Sequence, residues 1–545
     1  MRSCARACVR SRGGGNVELR LAGNRYSSSD PAVGSDPRDP PGPIAAFATL
    51  RGAYQQARPG FSDWVLLRRG DAWEDPAEFP LHLPDGQSAA APSLLGAYGK
   101  GCVRPVLRTG LSRGLELVHG YKFVAIAGIE IYAHVRDPAH TGRAKLNTSQ
   151  VQDLAGLYVY GGNDPGPVNL GLLLDDCHIH FYQTNIIFTG AGPYNDTVIR
   201  RCVISDAYGF APTAGKEPAE RSQGMFGGSL HGLLLEDNVF DHNGWLELPN
   251  DPLTRAVGAT MYNHNTYVEG SDLTFRNNLF MRASSCGNKF RSDTTGGMRN
   301  MRVEGNLYVE GEVAISIGGN TDAPARFVNC SLSDNVFIEI GRAQPTNRTL
   351  SWAIDLQDWQ LGEVSGNLVL NVTNPNVTDA YALHLERTSG VRLSRNLAYN
   401  LHTKSALLIV ASGNSNLTVE SNALVDPGFG SVLGSLADGT ANALAFANNQ
   451  YSSASAPDSW FLIGNQPASL SQWDTAVGGT GSQARLPRFS DATRSLERYN
   501  AEVGSGPPSF VAFVGAARRQ SACAPQPAFG AAQVNAWLRA GFQTV

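Results

Sequence analysis

The chain has 545 residues, 42% of them hydrophobic, with 59 glycines, 30 prolines and a formal charge of −4 at neutral pH. A pI near 6.3 excludes a general nucleic-acid binder, which carries a strong basic excess. No apolar run approaches the roughly 20 residues of a membrane helix, so neither nucleic acid nor membrane is an expected partner, and a monomer is expected.

Residues 1–59 read as an N-terminal extension and lead-in. The opening MRSCARACVRSRGGG carries Arg2, Arg6, Arg10 and Arg12 with no apolar segment behind them, so it lacks the form of a secretory signal. DWVLLRRGDAW (63–73) and LLGAYGKGCVRPVL (94–107) read as opening strands, followed by FVAIAGIEIYAH (123–134) and LYVYGG (157–162). A repeat then emerges: LLLEDNVF (233–240), LTFRNNLF (273–280), MRVEGNLY (301–308), CSLSDNVF (330–337), VRLSRNLA (391–398) and LTVESNAL (417–424). Weaker copies are EVSGNLVL (363–370) and LAFANNQY (444–451).

Aligning Cys177, Cys202, Asn238, Asn278, Asn306, Asn335, Asn367, Asn396, Asn422 and Asn449 gives intervals of 25, 36, 40, 28, 29, 32, 29, 26 and 27. Such intervals, carried by short strands alternating with period two, fit one winding of a parallel solenoid. Successive windings would lie roughly 4.8 Å apart, stacking the asparagines into a hydrogen-bonded column at a bend. The expected fold is therefore all-β, a single-stranded parallel β-helix (solenoid) over 60–451. The remainder, 452–545, reads as a loop and short helical C-terminal cap, with helices at VGAARRQSA (514–522) and AAQVNAWLRAGF (531–542) covering the open end.

The eight cysteines contain no CxxC pair, which removes the common zinc and redox readings, and Cys177 and Cys202, at the column position, read as core residues rather than ligands. Seven N-x-S/T triplets arise in an Asn- and Thr-rich repeat by composition and say little about export. The two long intervals hold insertions, 206–224 and 243–260, of the kind that wall a groove or merely decorate a solenoid.

The densest polar cluster is NHNTYVEG (263–270) followed by SSCGNKFRSD (284–293). With Phe290 inward, Lys289 and Arg291 face out together. The equivalent strands VAISIGGN (313–320), WAIDLQDW (352–359) and ALHLERT (382–388) then present Ser316, Asp355 with Gln357, and His384 with Glu386. In the preceding strand Tyr267 and Asn265 face out in one phase and His264 in the other.

The order DWVLLRRGD, AYGKGCVRPVL and the Asn column, over approximately residues 60–450, resembles the secreted bacterial right-handed parallel β-helix proteins of the pectate-lyase-like superfamily. That resemblance implies an extracellular or periplasmic protein, and a fold shared by polysaccharide lyases, glycoside hydrolases, phage tailspikes and adhesins.

Eliminating across C4–C5 of a uronic acid needs a neutralised carboxylate, a base for the C5 proton and an acid for the leaving oxygen. Arg291 suits the first role, Lys289 the second, and Tyr267 or His264 the third, with Asn265, Ser316, Asp355, Gln357, His384 and Glu386 along the floor. GNKFRSD resembles the lysine strand of the family of alginate lyases and chondroitinase B, which implies a lysine base at Lys289. The same resemblance implies a calcium ion, for which no matching Asn and Glu set is present.

The expected function is β-elimination on an acidic, uronate-containing glycan. Two alternatives use the same face. Asp355 and Glu386, if neighbours at roughly 5 to 6 Å, would suit a retaining glycoside hydrolase. Trp352, Trp359 and Tyr267 would stack sugars in a non-catalytic carbohydrate-binding solenoid. Lone histidines such as His231, His242 and His384 otherwise read as surface or structural residues.

Overall fold

A computed structural model describes residues 17–20, 45–118, 120–140, 153–163, 166, 168–209, 221–247, 256–292, 297–319, 326–403, 405–437 and 442–544. The basic opening segment, most of the first insertion (210–220) and part of the second (248–255) lie outside these residues. The chain forms two compact units, Met1–Leu234 with Gln520–Pro525 and Leu235–Arg519 with Gln526–Val545.

In the first unit the strands stack in parallel ladders. One runs through Trp64–Arg68, Ser93–Tyr98, Tyr121–Ala127, Asn169–Asp175 and Tyr194–Arg200, with Val124, Leu172 and Thr197 in register. Another aligns Leu107, Ile131, Ile179 and Ile204, all fully buried. At the leading edge Val17–Arg20 pairs antiparallel with Trp64–Arg68, covering polar groups that a bare edge would expose. Cys102 is disulfide-bonded to Cys523, a pairing across 421 residues of sequence that the sequence reading did not anticipate. Cys177 and Cys202 are buried thiols, as expected, and Cys286 and Cys330 are buried thiols as well.

In the second unit every winding contributes strands to three ladders. The parallel β-helix read from the repeat is present, and its asparagine column is continuous. Asn238, Asn278, Asn306, Asn335, Asn367, Asn396, Asn422 and Asn449 are joined by side-chain amide bonds of 2.9 to 3.1 Å, each acceptor oxygen also receiving the preceding Asn backbone N–H. The residue before each column Asn lies in the left-handed region: Asp237, Asn277, Gly305, Asp334, Gly366, Arg395, Ser421 and Asn448 have φ between 53° and 65°. Asp, Asn and Gly tolerate that conformation best, which is why the doublets DN, NN and GN recur. The coil turns at the first residue and is stitched to the next winding by the second.

The inward faces are filled by stacked aromatics, Phe240, Phe280, Tyr308 and Phe337, at centroid separations of 5.3, 5.2 and 4.8 Å. The trailing end is closed by a helix that the sequence reading did not anticipate, Leu470–Val477. Its buried Trp473 lies on Phe461 at 4.8 Å and edge-on to Phe446 at 5.7 Å.

The helix expected over 514–522 lies earlier in the chain, at Phe510–Ala517, with 518–522 outside it; the one expected over 531–542 is present as Ala531–Gly541, along the flank rather than over the end. Asn535 donates to the carbonyls of Gly305 and Asn306, and Arg539 to that of Asn335. The Ala531–Gly541 helix thus satisfies carbonyls at the asparagine corner, while Phe542 packs on Tyr399.

Candidate active site

The site lies on one ladder of the second unit, formed by the strands His264–Ser271, Cys286–Phe290, Val313–Ile317, Leu350–Gln357 and Asp379–Glu386. Their pairing places Tyr267, Lys289, Ser316, Asp355 and His384 in one row across successive windings. Phe290, Ile315, Ile317, Ile354, Leu356 and Leu385 are buried, so strand alternation turns the intervening side chains outward.

The row is a connected chain of polar groups. Lys289 Nζ donates to Ser316 Oγ at 2.8 Å and to the Gly318 carbonyl at 3.1 Å. Ser316 Oγ donates to Asp355 Oδ2 at 3.0 Å, and the other carboxylate oxygen contacts His384 Nδ1 at 2.8 Å. Gln357 reaches the same carboxylate more loosely, at 3.4 Å to each oxygen.

Burial depresses the Lys289 pKa, and the nearby charge of Arg291 pushes it the same way, against the raising influence of the Cys286 thiol and Asp355. Burial acts on Asp355 in the opposite sense, but the His384 bond, the lysine charge and the serine bond outweigh it and hold that carboxyl below its ordinary value. A desolvated amine tied through Ser316 to a fixed carboxylate gives up its proton more readily than a solvated lysine does.

Several expectations need correction. Thr266 and Val268 are fully buried, which selects the phase with Tyr267 outward. Asn265 nevertheless does not face out: it is fully buried, accepts from Asn243 Nδ2 at 2.9 Å and donates to the Met281 carbonyl at 3.0 Å. Its position at the corner entering the strand turns it to structural use. His264 is 4% exposed and its Nδ1 accepts the Cys286 backbone N–H at 3.2 Å, while its ring stacks on Tyr267 at 5.9 Å.

Asp355 and Glu386 are not direct neighbours, because Asp355 pairs with His384 and Glu386 with Gln357. Glu386 is instead bound by Arg387. Trp359 is fully buried and cannot meet a sugar: Asp358, with φ of 65°, breaks WAIDLQDW into two strands on different ladders. Trp352 remains half-exposed and stacks on Tyr381 at 5.2 Å, which in turn packs on His384 at 5.5 Å.

Sequence reasoning missed Tyr381 and Arg348. Arg348 reaches from the loop before the Leu350–Gln357 strand to Ser285 Oγ at 2.7 Å and to the buried Glu312 at 2.7 Å. It sits outside the repeat, so period-two alternation gave it no position. A concavity of about 840 Å³ on an adjacent ladder is lined by Asp272, Arg302 and Glu363, but all three are exposed. Lys289 and Asp355, by contrast, are both desolvated.

No family profile matches the chain, and no curated protein does. Similar solved structures include a mannuronic acid specific polysaccharide family 6 lyase from human gut microbiota, at 13% identity and a TM-score of 0.40 over 85% of this chain and 94% of that one. A PL6 alginate lyase in complex with a trisaccharide has 11% identity and a TM-score of 0.35 over 81% and 85%. The catalytic unit of a GH87 alpha-1,3-glucanase from Streptomyces thermodiastaticus has 12% identity and a TM-score of 0.37 over 82% and 67%. The fold is a parallel β-helix. Its windings pair strand by strand in parallel along the ladders described above.

Proposed function

We propose that the Lys289 row is the active site of a polysaccharide lyase acting on an acidic, uronate-containing glycan. The observation that carries this reading is the outward amine of Lys289, with its burial-lowered pKa, fixed by Ser316 and backed by Asp355 and His384.

In this reading Arg291 neutralises the substrate carboxylate, which acidifies the C5 proton, and neutral Lys289 removes that proton. Tyr267, in register beside Lys289 on the preceding winding, donates to the leaving glycosidic oxygen. Tyr267 is favoured over His264 because His264 is buried and already accepts a backbone N–H. Asp355 fixes the hydrogen-bond chain that aims the amine, and Trp352 offers a half-exposed ring for stacking on a neighbouring sugar.

The Asp355/Glu386 hydrolase reading is weakened by the register, which sets those acids on a diagonal. The Cys102–Cys523 disulfide supports work in an oxidising, extracytoplasmic compartment, where acidic polysaccharides are met.

The test is incubation with alginate, pectate and glycosaminoglycans while following ultraviolet absorbance and reducing ends together. Elimination raises both on at least one polymer. Reducing ends without absorbance would assign a hydrolase, and retention on an immobilised polymer with neither signal would assign a binding protein; either result overturns the proposal.

A further inference from the structure

A second cluster lies in the first unit, on a different ladder and without any part in the chemistry above. The strand His178–His180 sits between Glu130–Tyr132 and Val203–Ser205, with Glu130 opposite His178 and Tyr132 opposite His180. Ile131, Ile179 and Ile204 are fully buried, so the flanking residues of each strand project from the opposite face. Two histidines two apart on one strand are thereby brought side by side, with rings stacked at 3.9 Å and 15°. Glu130 is delivered to them by the preceding winding, its carboxylate 3.0 Å from His180 Nε2.

One ligand atom from each of Glu130, His178 and His180 lies within 4.8 Å of the other two. The 3.0 Å contact is already close to the edge of a tetrahedral site, roughly 3.3 Å for metal–ligand bonds of about 2.0 to 2.1 Å. We propose that Glu130, His178 and His180 bind a divalent transition-metal ion of the zinc type.

The donor set decides the class of ion. Two imidazoles and one carboxylate suit zinc, cobalt or nickel, whereas calcium and magnesium require mostly oxygen ligands. An outer layer holds the donors in place. Tyr132 stacks on the His180 ring at 4.3 Å, and Ser205 Oγ lies 3.3 Å from His178 Nε2 and donates to Asp206 Oδ2 at 2.9 Å. Outer partners of this kind orient ligating histidines and strengthen metal binding. Glu130 and His178 are half-exposed, so an ion can enter from solvent and keep water in its remaining positions. Nothing in this site depends on the lyase reading.

The test is titration of the full-length, chelator-treated protein with Zn2+ by calorimetry and with Co2+ by visible absorption. The wild type is expected to bind one equivalent, with cobalt bands of low coordination number. His180→Ala and Glu130→Gln are each expected to weaken binding at least about tenfold while leaving the far-ultraviolet circular dichroism unchanged. Glu130→Gln is nearly isosteric, so it remains informative if the histidine variant misfolds. Absence of saturable binding by the wild type, or binding of equal affinity in both variants, would overturn the proposal; the latter would move the ion to other histidines such as His134 and His140.

Discussion

Lys289 is held between opposing influences, and the balance can be shifted at a single neighbour. Burial and Arg291 lower its pKa, while the charge of Asp355 raises it. Replacing Asp355 by Asn removes a raising influence, so the lysine should lose its proton at lower pH. If the neutral amine is the base, the acidic limb of the rate profile in Asp355→Asn moves to lower pH, while the peak rate falls because the bond to His384 is altered. A limb that moves upward or stays fixed would separate Asp355 from the base. The row itself was legible in the sequence because each strand carries alternating apolar residues whose burial fixes the outward set. Asn265 and Trp359 were misread for a common reason: both stand at corners, where alternation ends. The Asp355/Glu386 pair was placed on the correct strands but not in the correct register, which strand spacing alone does not supply.

The asparagine column is the element on which that register depends. Asn335 donates to the Val303 carbonyl at 2.9 Å and to Asn367 Oδ1 at 3.0 Å, and its own Oδ1 receives both the backbone and side-chain N–H of Asn306. Asn335→Ala strands several of these buried groups at about 1–3 kcal/mol each. The expected loss is at least about 3 kcal/mol in urea unfolding, and a loss below about 1 kcal/mol would show that the column is ornamental.

The C-terminal segments are tied to the coil flank by charge. Arg342 pairs with Glu310 at 3.3 Å and with Glu497 at 2.9 Å, and Arg518 reaches the buried Asp241. Burial raises the Glu310 pKa from 4.5 to about 7 against the lowering influence of Arg282 and Arg342. Between those values the folded chain keeps a proton that the unfolded chain releases. This group's stabilisation is therefore full below pH 4.5 and lost as pH rises through about 7, an effect of up to about 3 kcal/mol. Glu310→Gln should flatten the fall in urea stability between those pH values, and an unchanged slope would contradict the assignment. The left-handed doublets announced the coil, whereas the flank position of the Ala531–Gly541 helix was hidden, because helical pattern reports an apolar face and not its destination.

Each unit of the molecule is a stack of windings, so its open edges must be closed locally. The antiparallel lead-in does this at the start of the first unit and Trp473 at the end of the second. The Cys102–Cys523 bond fastens Gln520–Pro525 to the first unit across 421 residues, a separation at which no sequence pattern indicates pairing. Replacing both cysteines by serine is expected to cost about 2–4 kcal/mol and to lower the melting temperature. No change would show that the bond contributes nothing to stability.

The proposed function rests on one amine, that of Lys289. The decisive measurement is the initial rate of unsaturated-uronate formation by wild type and Lys289→Ala, side by side on the same acidic polysaccharide, with circular dichroism as the folding control. The wild type is predicted to generate ultraviolet-absorbing product and the variant to fall by at least about 100-fold with its fold intact. Equal rates, or no absorbing product from the wild type on any uronate polymer, would contradict the account.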